Sequence, residues 1–351
     1  MSEAKQSKQS QKSGNSSVNI QANQITVGLS YDNVKTIAQT IFDANFYKLS
    51  EIAGEMAKDR ADKILNQFLT ELKEKNPEGL SISQDPDFQY SLFNVQKAYA
   101  RTGDKDLGDI LVNILVDRTK ETNRNIKQIV LNESLETAPK LTKSQYSALS
   151  VIFIFKYTRY TGMVSLDEFP KYFDHLVSPF IPSLVKNTTC YQHLEYAGCG
   201  TIGIGSSSLE KILLNHYPGI FVKGFNREDI NELLEKEPRL SQFIRPSLRD
   251  PNLLQINATD EPTVRQNAIP LGIESSAIDK LIAVQKTHMM NDKEVKDYSI
   301  SAHPCVRDLY DVWDNSHMKN LTLTSVGIAI GHANIRRLVG DEFDLSIWIN
   351  E

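Results

Sequence analysis

The N-terminal pattern of apolar and polar residues predicts two short β-strands separated by a bulge or a turn. Apolar side chains fall on even positions at Val18 and Ile20, and on odd positions at Ile25, Val27 and Leu29. A period of two is typical of a strand, and the change of phase between the two sets requires an extra residue. One short strand pair is marginal in water. We therefore expect this segment to pair with a second copy of the chain or with the body of the protein.

A helical pattern follows and is unusually long. Apolar residues recur at spacings of three and four from 32 to 75, and Pro77 ends the pattern because the residue before a proline avoids helical geometry. One helix of about 44 residues would extend roughly 66 Å, far beyond an average globular helix. This length favours an oligomerisation arm with coiled-coil character. The alternative is two ordinary core helices joined at Asn45.

If the arm assembles copies of the protein, the apolar residues of both patterns form the interface, and the partner is the protein itself. The residues predicted to mediate this oligomerisation are Val18, Ile20, Ile25, Val27, Leu29, Ile37, Ile41, Leu49, Ile52 and Met56.

The middle of the chain predicts one helix after another with short connections. An apolar stripe from Phe88 to Tyr99 follows Asp85, Thr142 is placed to cap another helix, and Ser207 is placed to cap a third. Successive helices with short loops bury their apolar stripes against one another. The pattern therefore predicts an α-helical body.

The end of the chain predicts a helix and then a strand. A helix is expected over 324–339, and the residues Phe343, Leu345, Ile347 and Ile349 alternate with polar neighbours as in a strand. The predicted fold class is therefore mainly α, a helical body with small β elements at the N-terminus and C-terminus.

Three segments follow from these patterns. Residues 1–15 are polar and predict a disordered tail, because they carry too little apolar surface to bury. Residues 16–78 hold the strand and the long helix of the oligomerisation arm. Residues 79–351 form the helical body and its terminal strand.

Composition narrows the class of protein. The 351 residues are 40% hydrophobic and 24% charged, with a net charge of −5. These values are ordinary for a globular protein and do not favour a nucleic-acid partner. Three cysteines are too few for a disulfide framework and favour reduced thiols in the cytoplasm. Spanning a bilayer needs about 20 apolar residues in succession, so we predict no membrane association.

Two local groups of arginines are the best candidates for phosphate binding. One is Arg336–Arg337, and the other comprises Arg239, Arg245 and Arg249. The second group lies beside Glu237, and the sequence holds no continuous basic stripe. An exposed, solvated surface is therefore the favoured interpretation of both groups.

One glycine-rich stretch matches the pattern of a dinucleotide-binding loop. Gly198, Gly200 and Gly203 have the spacing G-x-G-x-x-G. That motif requires a strand before the first glycine and a helix at the third, so that backbone N–H groups can hold a pyrophosphate. The residues 193–197 before it have a helical pattern, which favours a flexible turn. The three glycines remain weak candidates for cofactor binding, and we predict no resident cofactor.

Cysteine and histidine residues supply half of a zinc-binding pattern. Cys190, His193 and Cys199 could contribute ligands, with His303 and Cys305 as a distant second pair. Zinc normally takes four ligands at recurring spacings, and Cys-x-x-His is half of such a set. Buried thiols and surface imidazoles are the favoured interpretation, so we predict no metal site.

Two further groups suggest catalysis without establishing it. Cys305 has His303 and Asp308 nearby, and Asp311 and Asp314 share a helix face. A catalytic thiol needs a lowered pKa and an oriented base, which proximity in sequence does not supply. Paired carboxylates without a partner motif are most often a solvated face. We predict no catalytic residue, and the sequence leaves enzymatic activity open.

Two stretches near the N-terminus, 27–35 and 42–49, resemble an element of bacterial proteins with unknown or defence-associated roles. In that element a polar strand precedes a long helix. The stretches 99–108 and 117–119 make the whole chain similar to a bacterial family of about this length without an assigned activity. The resemblance implies a bacterial, cytoplasmic setting and a role in phage defence or stress response.

These observations together predict a non-enzymatic, homo-oligomeric sensor or scaffold that recognises a protein partner. The alternative is a nucleotide-responsive effector or enzyme that uses the loop Gly198–Gly205.

Overall fold

The computed structural model describes residues 30–46, 51–258, 260–340 and 344–350. The predicted tail, the predicted strands between 18 and 29, and Leu49 of the predicted interface lie outside the described residues.

The described part of the chain is mainly helical. Its α-helices are α1 (Tyr31–Asn45), α2 (Glu51–Lys75), α3 (Pro86–Thr102), α4 (Lys105–Arg118), α5 (Ile126–Thr137), α6 (Lys143–Tyr157), α7 (Glu168–Tyr172), α8 (Thr188–Tyr196), α9 (Leu209–His216), α10 (Pro218–Phe221), α11 (Asn231–Lys236), α12 (Glu261–Ala268), α13 (Ser275–Thr287), α14 (Asp292–Ala302), α15 (Cys305–Asp314) and α16 (Ser325–Val339). Short 3-10 turns occur at Pro77–Gln84, Ala138–Lys140, Ile181–Ser183, Arg227–Ile230, Pro238–Phe243, Ile269–Leu271, His317–Lys319 and Leu345–Ile347, and a π turn at Phe173–Val177. None of the helices described here combines the length and the apolar character needed to cross a bilayer.

Four strands of three residues each are present in the described part of the chain. They are β1 (Gly200–Ile202), β2 (Ile244–Pro246), β3 (Leu254–Ile256) and β4 (Leu321–Leu323). β1 pairs with β4 and β2 pairs with β3, both antiparallel, with Thr201 opposite Thr322 and Arg245 opposite Gln255. The predicted fold class, mainly α with small β elements, is confirmed.

Several helices begin at the capping residues that the sequence predicts. The Asp85 carboxylate accepts a hydrogen bond from the Phe88 N–H at 2.9 Å and so caps α3. Thr142 begins α6 with a capping box. The prediction for α9 is one residue early, because Ser208 rather than Ser207 caps this helix.

The main hydrophobic core is centred on α6 and α16. Residues 145–155 of α6 are all buried, and α16 packs closely along them. The position that a Cβ atom would take at Gly331 is 3.0 Å from the Leu149 carbonyl oxygen, so the two backbones touch. The Asn334 amide donates to the Ser150 hydroxyl at 2.9 Å, and that hydroxyl donates to the Gly331 carbonyl at 3.1 Å. The α6–α16 pair is therefore fixed by both shape and polar contacts.

The segment predicted as a single long helix contains two helices, α1 and α2. The first ends at Asn45, where the alternative interpretation placed a junction. The second half of α2 lies in the main core through Ile64, Leu65 and Phe68, which are fully buried. This half is therefore part of the body, while the oligomerising role of the arm stays a prediction.

The strand predicted at the C-terminus is wrong in the described residues. Leu345–Ile347 forms a 3-10 turn, and no ladder partner is present for it there. Leu345 and Ile349 are buried, whereas Ile347 is 65% exposed. Buried positions four residues apart fit a helical turn. The alternation of apolar residues in the sequence therefore does not correspond to one buried face, because Ile347 is exposed. Phe343 lies outside the described residues.

Residues 223–288 form a lobe with a smaller core of its own. This core includes Phe225, Leu240 and Leu281, all fully buried. The chain enters and leaves the lobe through two adjacent extended segments. Val222 bridges Met289, the Lys223 N–H donates to the His288 carbonyl, and the Met290 N–H donates to the Phe221 carbonyl, both at 2.9 Å. We call this pair of segments the neck, residues 223–288 the lobe, and the rest of the described chain the body.

Candidate functional site

A cleft of about 410 Å³ separates the body from the lobe. Its body wall is formed by the loop after α6 and by the junction of α9 and α10, and its lobe wall by the β2–β3 pair and the start of α12. The residues that line it include Arg159, Tyr160, Thr161, Val164, His216, Tyr217, Arg245, Gln255, Asn257 and Asp260. Small-molecule sites have this volume and occur preferentially between domains.

An ion pair between Arg159 and Asp260 connects the two walls of the cleft. Asp260 also caps α12, because its carboxylate accepts a hydrogen bond from the Thr263 N–H at 2.7 Å. Burial opposes the ionisation of Asp260, but the hydrogen bonds from Thr263 and the pairing with Arg159 outweigh it and lower the pKa of the carboxyl. Asp260 is therefore charged at neutral pH and links the lobe to the body.

The β2–β3 pair places two polar side chains together at the lobe wall. Arg245 and Gln255 are direct partners across the pair, so their side chains are on the same face. Gln255 is buried, and its amide donates to the Gly219 carbonyl of the body at 3.3 Å. Arg245 is half-buried, and among the described residues its side chain makes no hydrogen bond or ion pair. The cleft thus contains an open guanidinium group.

His216 ends α9 at the body wall, and Tyr217 follows it directly. Burial, and secondarily the positive charge of Arg159, lower the pKa of His216 below its usual value, so the imidazole is neutral at pH 7. The Tyr217 hydroxyl accepts a hydrogen bond from the Tyr160 N–H at 3.0 Å, and burial raises its pKa. Tyr217 therefore holds the loop after α6 in place at the mouth of the cleft.

A second cavity of about 300 Å³ adjoins the cleft. It shares Ile256, Ala258 and Asp260 with the cleft and is completed by Pro218 of the body and Gln285 of the lobe. Two cavities therefore lie along the contact between body and lobe.

A protein-family model matches residues 28–349 of the chain. The chain belongs to this family. Its match includes the body, the lobe and every residue that lines the cleft. Comparison with curated proteins and with solved structures gives no significant match. A match over residues 28–349 agrees with the resemblance to a family of about 350 residues.

Two of the three glycines of the dinucleotide-like pattern, Gly198 and Gly200, have structural roles in the described chain. Gly198 follows α8 with φ +76°, which favours glycine. Gly200 lies in β1, where a Cβ atom would be 2.7 Å from the Thr322 carbonyl oxygen. The strand comes after the first glycine, and α9 begins six residues after Gly203. The strand, glycine turn and helix that bind a pyrophosphate are not arranged here in the required order.

The three thiols are buried to different degrees and none is activated. Burial raises the pKa of Cys190 and Cys305 to about 11 and that of Cys199 to about 12. Thiols with these values are protonated at neutral pH and are weak nucleophiles. His193 contacts the Gln145 amide at 2.9 Å instead of a thiol. Among the described residues, no three His, Cys, Asp or Glu side chains converge to hold a metal ion.

Most candidate charges outside the cleft are engaged in pairs. The ion pairs are Arg336 with Asp117 at 2.7 Å, Arg337 with Asp106 at 2.6 Å, Arg239 with Glu237 at 2.7 Å, Asp314 with Lys296 at 2.7 Å and Asp311 with Lys186. The Arg249 guanidinium donates to the Ile220 carbonyl at 2.6 Å and lies 4.1 Å from the centre of the Tyr298 ring. The arginine group of the sequence therefore divides, and Arg245 alone of its three members lines the cleft.

The described residues of the predicted oligomer interface fall into two classes. Ile37 and Ile41 are partly buried against α3. Ile52 and Met56, one turn apart on α2, are 76% and 49% exposed. Val18, Ile20, Ile25, Val27 and Leu29 lie outside the described residues, as does Leu49. The interface itself stays a prediction, but α2 does present an exposed apolar pair.

Sequence reasoning missed Arg159, His216 and Asp260 as site residues. They come from three separate segments that the fold brings together, and none belongs to a local motif. The available signal was the cluster Arg159–Tyr160–Thr161–Gly162 directly after an apolar helix. A charged and aromatic loop at the end of a buried helix is a common position for binding residues.

Proposed function

We propose that the protein is a non-enzymatic, homo-oligomeric sensor whose cleft binds a small molecule. The observation that carries this proposal is the position of the cleft between two separate cores joined by a two-segment neck. A ligand that contacts both walls favours one relative position of the lobe over others, which turns occupancy into a change of shape.

The raised thiol pKa values support a binding role over thiol catalysis. The cleft supplies an ion pair, a neutral imidazole and polar side chains, which serve recognition. The free thiols Cys190, Cys199 and Cys305 support a cytoplasmic location, because unpaired cysteines are typical of a reducing compartment.

Ligand binding is tested by thermal unfolding of the full chain against a chemically diverse library of small metabolites. We expect at least one compound class to raise the unfolding temperature. Val164→Trp, which fills the cleft at a position 56% exposed, abolishes the shift, whereas Ile347→Trp, at a position 65% exposed outside the cleft, preserves it. A shift that persists in V164W, or no shift with any class, rejects the proposed sensor.

Assembly is tested separately by light scattering of the full chain. Deleting α1 and α2 is unsuitable as a test, because the deletion would remove Ile64, Leu65 and Phe68 from the main core. We expect Ile52→Asp to lower the particle mass to that of one chain, and Ile269→Asp, at a position 75% exposed on the lobe, to leave the mass unchanged. A wild-type protein that is already monomeric rejects the oligomeric part of the proposal.

The resemblance of the N-terminal element to defence-associated bacterial proteins supports a role in phage defence. Bacteria that express the full chain are expected to reduce phage plating efficiency, and V164W to restore it. Equal plating with and without the protein across a phage panel rejects this role.

A further inference from the structure

Arg245 is in an unusual position for a half-buried arginine. Its neighbours in sequence, Arg239 and Arg249, are held by Glu237 and by the Ile220 carbonyl. Arg245 lines the cleft, and its side chain has no hydrogen bond or ion pair among the described residues. A guanidinium group has five N–H donors and binds carboxylate or phosphate oxygens in pairs. Its free donors therefore favour an oxyanion as a partner.

The charges of the cleft leave Arg245 uncompensated. Arg159 and Asp260 neutralise each other across the two walls, and His216 is neutral at pH 7. The charged side chains that line the cleft are thus two cations and one anion. The difference is one positive charge, which a ligand with one acidic group matches.

The mouth of the cleft offers apolar surface beside this charge. Tyr160 is 41% exposed and Val164 is 56% exposed, and both belong to the loop that Tyr217 holds in place. Thr161 and Asn257 add neutral polar groups to the same lining. An aromatic ring with an adjacent aliphatic side chain suits a flat apolar group.

We propose that the cleft binds a small organic acid whose carboxylate or phosphate pairs with Arg245 and whose apolar part packs against Tyr160 and Val164. This inference rests on the proposed function, because it names the ligand class of the same cleft. The acid bridges the β2–β3 pair of the lobe and the loop after α6 of the body, so its binding holds the two walls together.

The test is isothermal titration of the full chain with three probes: benzoate, phenyl phosphate and benzyl alcohol. The probes share an aromatic ring and differ in the acidic group, so they distinguish a carboxylate, a phosphate and a neutral ligand. We expect at least one acid to bind about tenfold or more tightly than the alcohol, since charge-assisted hydrogen bonds are roughly twice as strong as neutral ones.

Arg245→Gln is expected to weaken acid binding about tenfold. Arg245→Lys keeps the charge without the paired donors and gives an intermediate loss. Arg227→Gln is the matched control, because Arg227 is an exposed arginine of the same lobe outside the cleft lining. We expect wild-type affinity in R227Q.

The following results would overturn the inference that the cleft binds an acid. If the alcohol binds as tightly as the acids, or if R245Q and R227Q behave alike, the cleft does not select an acid, although the sensor proposal survives. If no probe binds at millimolar concentration, the acid class is rejected, and the library screen with V164W then decides separately whether the cleft binds any ligand.

Discussion

Charged residues that are buried in the body are stabilised by specific partners. The Asp117 and Arg336 side chains are 8% and 7% exposed and form an ion pair of 2.7 Å, to which Lys120 adds a contact with Asp117 at 3.0 Å. Burial raises the pKa of Asp117, but the charges and hydrogen bonds of Arg336 and Lys120 outweigh it, so the net pKa is lowered. The pair connects α4 to α16 and so joins two helices of the main core.

Asp117→Asn is expected to lower the free energy of unfolding at pH 7 by about 2–3 kcal/mol, because it leaves Arg336 buried without its counter-charge. The pKa of Asp117 in the folded protein lies below its value in the unfolded chain, which is near 3.9. The stabilisation of the wild type relative to the asparagine variant is therefore complete above the unfolded pKa. It disappears as the pH falls through the folded pKa.

Urea unfolding at several pH values measures this difference in stability between wild type and Asp117→Asn. Asp297→Asn, at an exposed position on α14, is the control and should change stability little; equal losses in both variants would contradict the role of the pair.

At the scale of elements, two glycines in the first turns of helices show how packing decides the effect of one methyl group. A Cβ atom at Gly327 of α16 would lie 1.9 Å from the Cys199 carbonyl oxygen, whereas a Cβ atom at Gly54 of α2 would meet nothing within 4 Å. Alanine has a higher helix propensity than glycine. Substitution by alanine should therefore change the free energy of unfolding in opposite directions at the two positions.

Gly327→Ala is expected to cost about 3 kcal/mol or more, because backbone atoms on both sides must move. Gly54→Ala should be neutral or stabilising by up to about 1 kcal/mol. Thermal unfolding of both variants measures the difference. A stable G327A protein would mean that β1 and α16 are less tightly packed than described.

The periodic pattern predicts helices well where they are long and capped, as at α3, α6 and α16, because apolar spacing and capping residues agree there. It misses β1 and β4, since three-residue strands are too short to establish a period of two. At Leu345 and Ile349, an apparent alternation coincides with the four-residue spacing of a helical turn. The cleft could not be predicted as a site, because its residues become neighbours only after the lobe has folded against the body. Of its lining, Arg245 alone belongs to a group that the sequence singles out.

At the scale of the whole molecule, the lobe is attached to the body through the neck and several side-chain contacts, among them those of Arg249 with the Ile220 carbonyl and the Tyr298 ring. These contacts include the Arg159–Asp260 ion pair, the Gln255 hydrogen bond to Gly219 and the Lys223–Glu294 pair at 3.2 Å. Interfaces of this kind between domains permit relative motion. The ion pair is thus expected to restrict the lobe in the absence of ligand.

Asp260→Asn should loosen the lobe, because asparagine still caps α12 but carries no charge for Arg159. We expect faster hydrogen exchange at the neck amides of Lys223 and Met290. Asp279→Asn, which removes an ion pair with Arg265 inside the lobe, should leave the neck amides unchanged. Equal exchange in the two variants would show that the Arg159–Asp260 pair does not restrain the lobe.

The neck also has a genetic consequence. The Lys223 N–H donates directly to the His288 carbonyl. The two points where the polypeptide leaves the body and returns to it are therefore adjacent. A short linker can therefore replace the whole lobe without distorting the body. Recombination at these two codons would exchange one lobe for another and leave the chain path of the body unchanged.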